Sequence, residues 1–205
     1  MVEIRGRQPC ITKFEDDLTE IQIEWGDDIE IRIDATGKAH SSATKIYITT
    51  PGLEKVVWNG DLCYFDGNLK CSVIDVGETS FTVRAKENGV IPSDSQLVVP
   101  EKHLKMDIIK DEDLSDIQNL AKLHKIDFIS VPFVSSQVDV DEVKSALKKI
   151  DCEGTLVLSR IDDRRGLDEF WPICGSSGGI ILNRKNLNFS VSSEKLFALM
   201  KFFTE

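Results

Sequence analysis

Val157-Leu158-Ser159-Arg160-Ile161-Asp162 and, about twenty residues further on, Ile180-Ile181-Leu182-Asn183-Arg184-Lys185-Asn186-Leu187 decide how this chain is read. Each is a short apolar run that ends in charged and amide-bearing side chains. An apolar run of four to eight residues bounded by turn signals fits a buried strand. Parallel α/β enzymes place their chemistry at the carboxyl ends of such strands, so the two tips are the first candidates for a site.

Around these strands the period of the apolar residues is helical. Leu114, Ile117, Leu120 and Ala121 form one face, and Val140, Val143, Ala146, Leu147 and Ile150 another, with Asp139 and Glu142 placed as an N-cap and its box. Strands are expected near 126–133, 155–161 and 179–183, and helices near 164–173 and 193–203. Gly175-Ser176-Ser177-Gly178-Gly179 reads as a helix-to-strand loop and not a phosphate cradle, because a strand follows it. Strand and helix in alternation give a parallel sheet with right-handed crossovers. Residues 101–205 hold three such βα units, too few for a closed (β/α)8 barrel of roughly 250 residues.

From residue 2 to about 100 the period is two. Ile21 and Ile23, Ile29 and Ile31, Ile46 and Ile48, Leu69, Cys71 and Val73, and Phe81, Val83 and Ala85 alternate with polar residues between Gly- and Pro-containing turns. The expected fold class is therefore α/β plus all-β: a small β-barrel domain over residues 1–100, then a partial parallel (β/α) barrel over residues 101–205.

The 205 residues carry a net charge of −10, with 41% hydrophobic and 29% charged residues. This balance argues against a nucleic-acid partner, since phosphate affinity rests on clustered Lys and Arg. Five cysteines, widely spaced and without a Cys-x-x-Cys pair, fit reduced thiols and not a disulfide frame or zinc site. His40, His103 and His124 are dispersed and read as structural or surface residues. No apolar run approaches a membrane span, and a cytoplasmic protein without a membrane partner is expected.

Both strand tips resemble pyruvate kinase. In that family the first tip reads Ser-Lys-Ile-Glu and the second Ala-Arg-Gly-Asp-Leu; here the lysine position carries Arg160, the glutamate position Asp162, the glycine position Lys185 and the aspartate position Asn186. Further segments resemble the family in the same order: Val2-Glu3-Ile4-Arg5, Tyr64-Phe65-Asp66-Gly67-Asn68-Leu69, Glu87-Asn88-Gly89 and Asp127-Phe128-Ile129-Ser130-Val131-Pro132-Phe133-Val134, after which Ser135 replaces an arginine. Ile91-Pro92-Ser93-Asp94-Ser95-Gln96 departs from it, lacking a phosphate-facing lysine.

The resemblance implies phosphoryl transfer between phosphoenolpyruvate and ADP, with Mg²⁺ and K⁺ as cofactors. It assigns Arg160 to the catalytic position, Asp162 and Asn186 to metal binding, Arg5 to the nucleotide, and Arg184 and Lys185 to the substrate. The substitutions predict an impaired site. Arg160 is a planar fork where the family has a compact ammonium. Asp162 reaches one methylene less than glutamate, and Asn186 has lost its charge. Lys185 puts a side chain where a glycine lets backbone approach. Bland roles compete: a strand-end ion pair for Arg160 and Asp162, with Asp163 or Arg164 joining, and a surface charge for Arg5. Three readings follow: an impaired paralogue, an active kinase with substituted residues, or a module that binds pyruvate kinase subunits. Open strand edges predict a homo- or hetero-oligomer.

Overall fold

This computed structural model describes residues 1–7, 9–66, 69–93, 95–100, 102 and 106–204. Gly67, Asn68, Asp94 and His103, which figure in the sequence reading, lie outside the described residues. The chain divides into two compact units, one of Met1–Arg7 with Met106–Glu205 and the other of Gln8–Lys105.

The all-β unit is built from the period-two segments. A six-stranded sheet has the order β4 (Lys45–Ile48), β3 (Asp28–Ile33), β7 (Ser80–Ala85), β6 (Leu69–Val76), β5 (Leu62–Phe65), β9 (Leu97–Val98), and a two-stranded sheet pairs β2 (Glu20–Ile23) with β8 (Gly89–Pro92). Alternate side chains of each strand point to one face, so Ile21, Ile23, Ile29, Ile31, Ile46, Ile48, Val73 and Val83 fall into one core. The sheet curls because both its edges bond to the same short segment. Thr12 N–H donates to Tyr47 O at 2.8 Å beside β4, and Leu97 N–H of β9 donates to Pro9 O at 2.9 Å. One pairing was not legible in advance: β3 and β4 run parallel. Cys63 and Cys71 face each other across β5 and β6, and the neighbouring Cys71 thiol, together with burial, pushes the Cys63 thiol up.

The second unit is a four-stranded all-parallel sheet in the order β1 (Val2–Glu3), β10 (Phe128–Val131), β11 (Leu156–Ile161), β12 (Gly179–Leu182). Its helices are α1 (Asp111–Ala121), α2 (Gln137–Lys149), α3 (Arg164–Asp168), α4 (Phe170–Ser176), α5 (Arg184–Leu187) and α6 (Ser193–Thr204). The expected βα units are present, and β1 adds a fourth strand. This corrects the expected division at residue 100. Val2 and Glu3 pair in register with Ile129 and Ser130, and Ile4, 4% exposed, enters the core of the α/β unit, so burial and ladder bonds tie the first seven residues to the second half of the chain.

Register fixes which residues share a face, because partners across a parallel ladder point the same way. Ile129, Val131, Val157 and Ile161 are buried in the core with apolar residues of α1 and α2. The opposite face therefore carries Glu3, Phe128, Ser130, Leu156, Leu158, Arg160 and Ile181. That face is apolar toward the amino ends of the strands and charged toward the carboxyl ends.

Two local expectations are corrected. The cap of α2 is Ser136, whose side chain accepts from Asp139 N while Asp139 occupies the third helical position; the expected cap was Asp139 itself. Residues 184–187, expected within a strand tip, form the single-turn helix α5 because Asn183 caps it, accepting from Asn186 N.

Candidate functional site

At the carboxyl ends of β1 and β11 three charges meet. Arg160 is 8% exposed and Asp162 2% exposed. The Arg160 Nε–H donates to both Asp162 oxygens, at 3.1 and 3.0 Å, and its Nη1–H donates to Glu3 Oε1 in a short contact. Glu3 arrives there because β1 pairs with β10, which also lets the Ser130 hydroxyl donate to Glu3 Oε2 at 3.4 Å.

Asp162 takes more donors still. Its Oδ1 accepts from Asn183 Nδ2 at 2.7 Å and Asn186 Nδ2 at 2.8 Å, and its Oδ2 accepts from the backbone N–H of Phe133 at 2.8 Å. An ionised carboxylate offers about four lone-pair sites. With one guanidinium, two amides and one backbone N–H around it, those sites are filled from within the chain. Phe133 is held at φ +54°, a left-handed conformation that side chains other than glycine rarely adopt, and Val134 N–H completes the tie by donating to Arg160 O at 3.2 Å.

The structure brings three of the six candidate residues together, Arg160, Asp162 and Asn186. The other three lie elsewhere. Arg5 is exposed, with its guanidinium 4.0 Å from Glu112 and 3.9 Å from Asp116. Arg184 and Lys185 are exposed on α5. Asp163 caps α3 through Gly166 N, and Arg164 pairs with Asp168 on the same helix. Two members of the network were missed, Glu3 and Asn183. Glu3 was unreadable because its role depends on a pairing with residues more than a hundred positions away; Asn183 could have been found as a helix cap.

Chemically, Arg160 is matched by two carboxylates, Glu3 and Asp162, so the three side chains sum to one negative charge. The guanidinium faces both carboxylates, and the buried Asp162 carboxylate accepts from donors of this chain. Among the described residues no group of three or more His, Cys, Asp or Glu side chains could hold a metal ion.

A second cluster closes the amino end of α2. Arg7 Nη2–H donates to Asp139 Oδ1 at 2.6 Å and its Nε–H to Met106 O at 2.7 Å, while Asp139 Oδ2 accepts from the Ser135 N–H at 2.8 Å and hydroxyl at 2.9 Å and from Ser136 N–H at 3.1 Å. Arg165 Nη2–H reaches the Ser135 hydroxyl at 3.1 Å. Burial raises the Asp139 carboxyl, but the Ser135 N–H, the Arg7 guanidinium and the Ser135 hydroxyl outweigh it and hold the group below the usual carboxylate range. Asp139 thereby matches the charge of Arg7.

A family model described as "Pyruvate kinase, barrel domain" matches residues 1–205. Pyruvate kinase PKLR of Homo sapiens is 23% identical over 184 residues, which is 89% of this chain and 32% of that protein. The pyruvate kinase of Thermococcus litoralis is 28% identical over 200 residues, 97% of this chain and 41% of that protein. A solved pyruvate kinase from Cryptosporidium parvum superposes with a TM-score of 0.76 over 98% of this chain and 41% of its own, at 22% identity. The chain thus spans about a third to two fifths of the length of these relatives.

Proposed function

Since this chain belongs to the pyruvate kinase family, we propose that it is a member whose phosphoryl-transfer centre has been converted into an internal ion-pair network, so that it does not turn over phosphoenolpyruvate and ADP. The observation that carries this reading is the saturation of Asp162 by Arg160, Asn183, Asn186 and Phe133 N. Phosphoryl transfer works almost entirely by positioning and by neutralising charge on transferred oxygens, commonly with bridging metal ions. The family relation implies Mg²⁺ and K⁺ for that task. The residues at the two matching positions do not suit a divalent ion: one carboxylate is filled, and the other position offers an amide whose nitrogen is turned to that same carboxylate. Hard cations want several oxygen ligands, and Mg²⁺ wants them at about 2.0–2.1 Å in near-octahedral array.

Arg160 supports the same reading. A positive charge that stabilises an enolate must be net positive where the oxygen develops. Here Glu3 and Asp162 both face the guanidinium. A coupled assay for pyruvate formation from phosphoenolpyruvate and ADP, run with Mg²⁺ and K⁺ present, tests the proposal. The expected result is no turnover above the no-protein control. A rate on the order of 1–100 per second, ordinary for kinases, means the site works despite its substitutions.

A further inference from the structure

We propose that Cys63 and Cys71 are a redox-sensitive pair, which a peroxide closes within the folded chain into a reversible disulfide between β5 and β6. The two residues are direct partners in the antiparallel ladder, and both are 0% exposed in the core of the all-β unit. Both stand here as free thiols. The other cysteines are placed differently: Cys10 lies opposite Gln96, and Cys152 and Cys174 lie outside the strands.

The ladder sets the spacing of the two sulfurs. Opposed residues of an antiparallel pair alternate between hydrogen-bonded and non-hydrogen-bonded positions. Val73 N–H donates to Asp61 O at 2.8 Å, so Cys63 with Cys71, two residues along each strand, is a hydrogen-bonded position as well. The Cα atoms of such a pair lie about 5.5 Å apart, and disulfides span Cα separations of about 4.4–6.8 Å, most often about 5.5–6 Å. Opposed side chains leave the sheet on one face, and the two thiols are hydrogen-bonded to each other. Opposed Cβ atoms stand about 4.5–5.5 Å apart, whereas a disulfide holds them at about 3.5–4.5 Å. Closing the bond therefore draws the strands together by roughly 1 Å, and that distortion keeps the bond reducible.

Hydrogen peroxide is the class of oxidant that fits, because it is little larger than water and the pair has no exposed surface. One sulfur attacks a peroxide oxygen, the O–O bond breaks, and a sulfenic acid and one water result. The second sulfur attacks the first, the S–O bond breaks, and the hydroxyl leaves as a second water with the second thiol's proton. In sum two S–H bonds and one O–O bond become one S–S bond and two water molecules; both sulfurs are oxidised and both peroxide oxygens reduced. The Cys71 thiol and burial push the Cys63 thiol up, which keeps its reactive thiolate scarce and makes closure slow. A thiol reductant, being bulkier, enters only when the edge opens where β5 holds β9 by two residue pairs.

Peptide mapping of the full chain, without reductant and after the folded protein has met millimolar hydrogen peroxide, tests the proposal. Trypsin cuts after Lys70, so the two cysteines fall on separate peptides. The expected result is a linked pair of these peptides, lighter than their sum by two hydrogens and separated again by dithiothreitol, from a chain whose circular dichroism is unchanged. The urea midpoint of the oxidised form should rise, because the link restricts the unfolded chain. In Cys71→Ala the linked peptide should vanish and Cys63 should be alkylated fully in urea; if that variant does not fold, the wild-type map decides alone. Cys63 and Cys71 both still free while the exposed Cys174 is oxidised overturns the proposal. A link from either residue to Cys10, Cys152 or Cys174 also overturns it, as do a link that forms only in urea and a lowered midpoint.

Discussion

The Arg160 Nε–H, near the end of β11, bridges both oxygens of Asp162, the first residue past that strand, at 3.1 and 3.0 Å. Removing one partner of a buried ion pair strands the other charge, which costs about 3–5 kcal/mol. Arg160→Met should therefore lower stability strongly, with Glu3 and Asp162 left as facing carboxylates. In a double-mutant cycle with Asp162→Asn, read from urea midpoints, the coupling should be about 1–3 kcal/mol. A coupling near zero would mean that the pair adds nothing to the fold.

Gly166 tests the packing beneath the same strand. A Cβ there would lie 2.7 Å from Val134 O and 2.9 Å from Ile161 Cγ2. Helix propensity alone favours alanine over glycine by about 1 kcal/mol. The clash is with backbone, which cannot swing aside, and overpacking costs about 1–3 kcal/mol. Gly166→Ala should accordingly lower the urea midpoint, and a raised midpoint would show that α3 can shift away from β10.

Asp139 gives the fold a pH dependence of known sign. Its carboxyl is depressed in the folded chain relative to an ordinary value of about 3.9, so its contribution is complete above that value and fades as pH falls through the lower folded value. Asp139→Asn should cost about 3 kcal/mol at neutral pH, because it removes the partner of the largely buried Arg7. The gap between wild type and variant should narrow steadily below pH 4, as followed by urea unfolding across a pH series. A gap that does not change with pH would remove Asp139 as its cause.

Much of the architecture was open to the sequence. Alternation named the buried side of β2, β3, β4, β6 and β7, because a strand that buries one face must repeat every two residues. Helical spacing found α1 and α2. What stayed hidden depended on distant partners or on very short elements. β1 has two residues and no period of its own; only its ladder with β10 makes it a strand and brings Glu3 to Arg160. The short helix α5 hides in an apolar run whose Asn183 cap reads equally as a strand tip. Arg160, Asp162 and Asn186 were found as a set and Asn183 was open to a reading as a helix cap, while the Phe133 amide, which also fills the carboxylate, had no signal in residue type.

A reverse design separates metal binding from catalysis. Arg160→Lys with Lys185→Gly and Asn186→Asp restores the residue types of the family at those three positions, frees Asp162 from the guanidinium and adds a second carboxylate. The combined variant should bind Mn²⁺ at least tenfold more tightly than wild type in a calorimetric titration, with turnover of phosphoenolpyruvate still absent. Unchanged affinity would mean that the substitutions at these tips are not what keeps a cation out.

Whether Asp162 is spent on its internal donors is tested most directly by Mn²⁺ titration of the unmodified chain, read by the spin-relaxation of bound ion and repeated with Asp162→Ala. Wild type and variant should be indistinguishable, with no saturable binding below about 1 mM, since a buried carboxylate with its lone pairs filled must break several hydrogen bonds to ligate. Submillimolar binding that disappears in Asp162→Ala would contradict the account, because it would show the carboxylate exchanging Arg160, Asn183 and Asn186 for a metal ion.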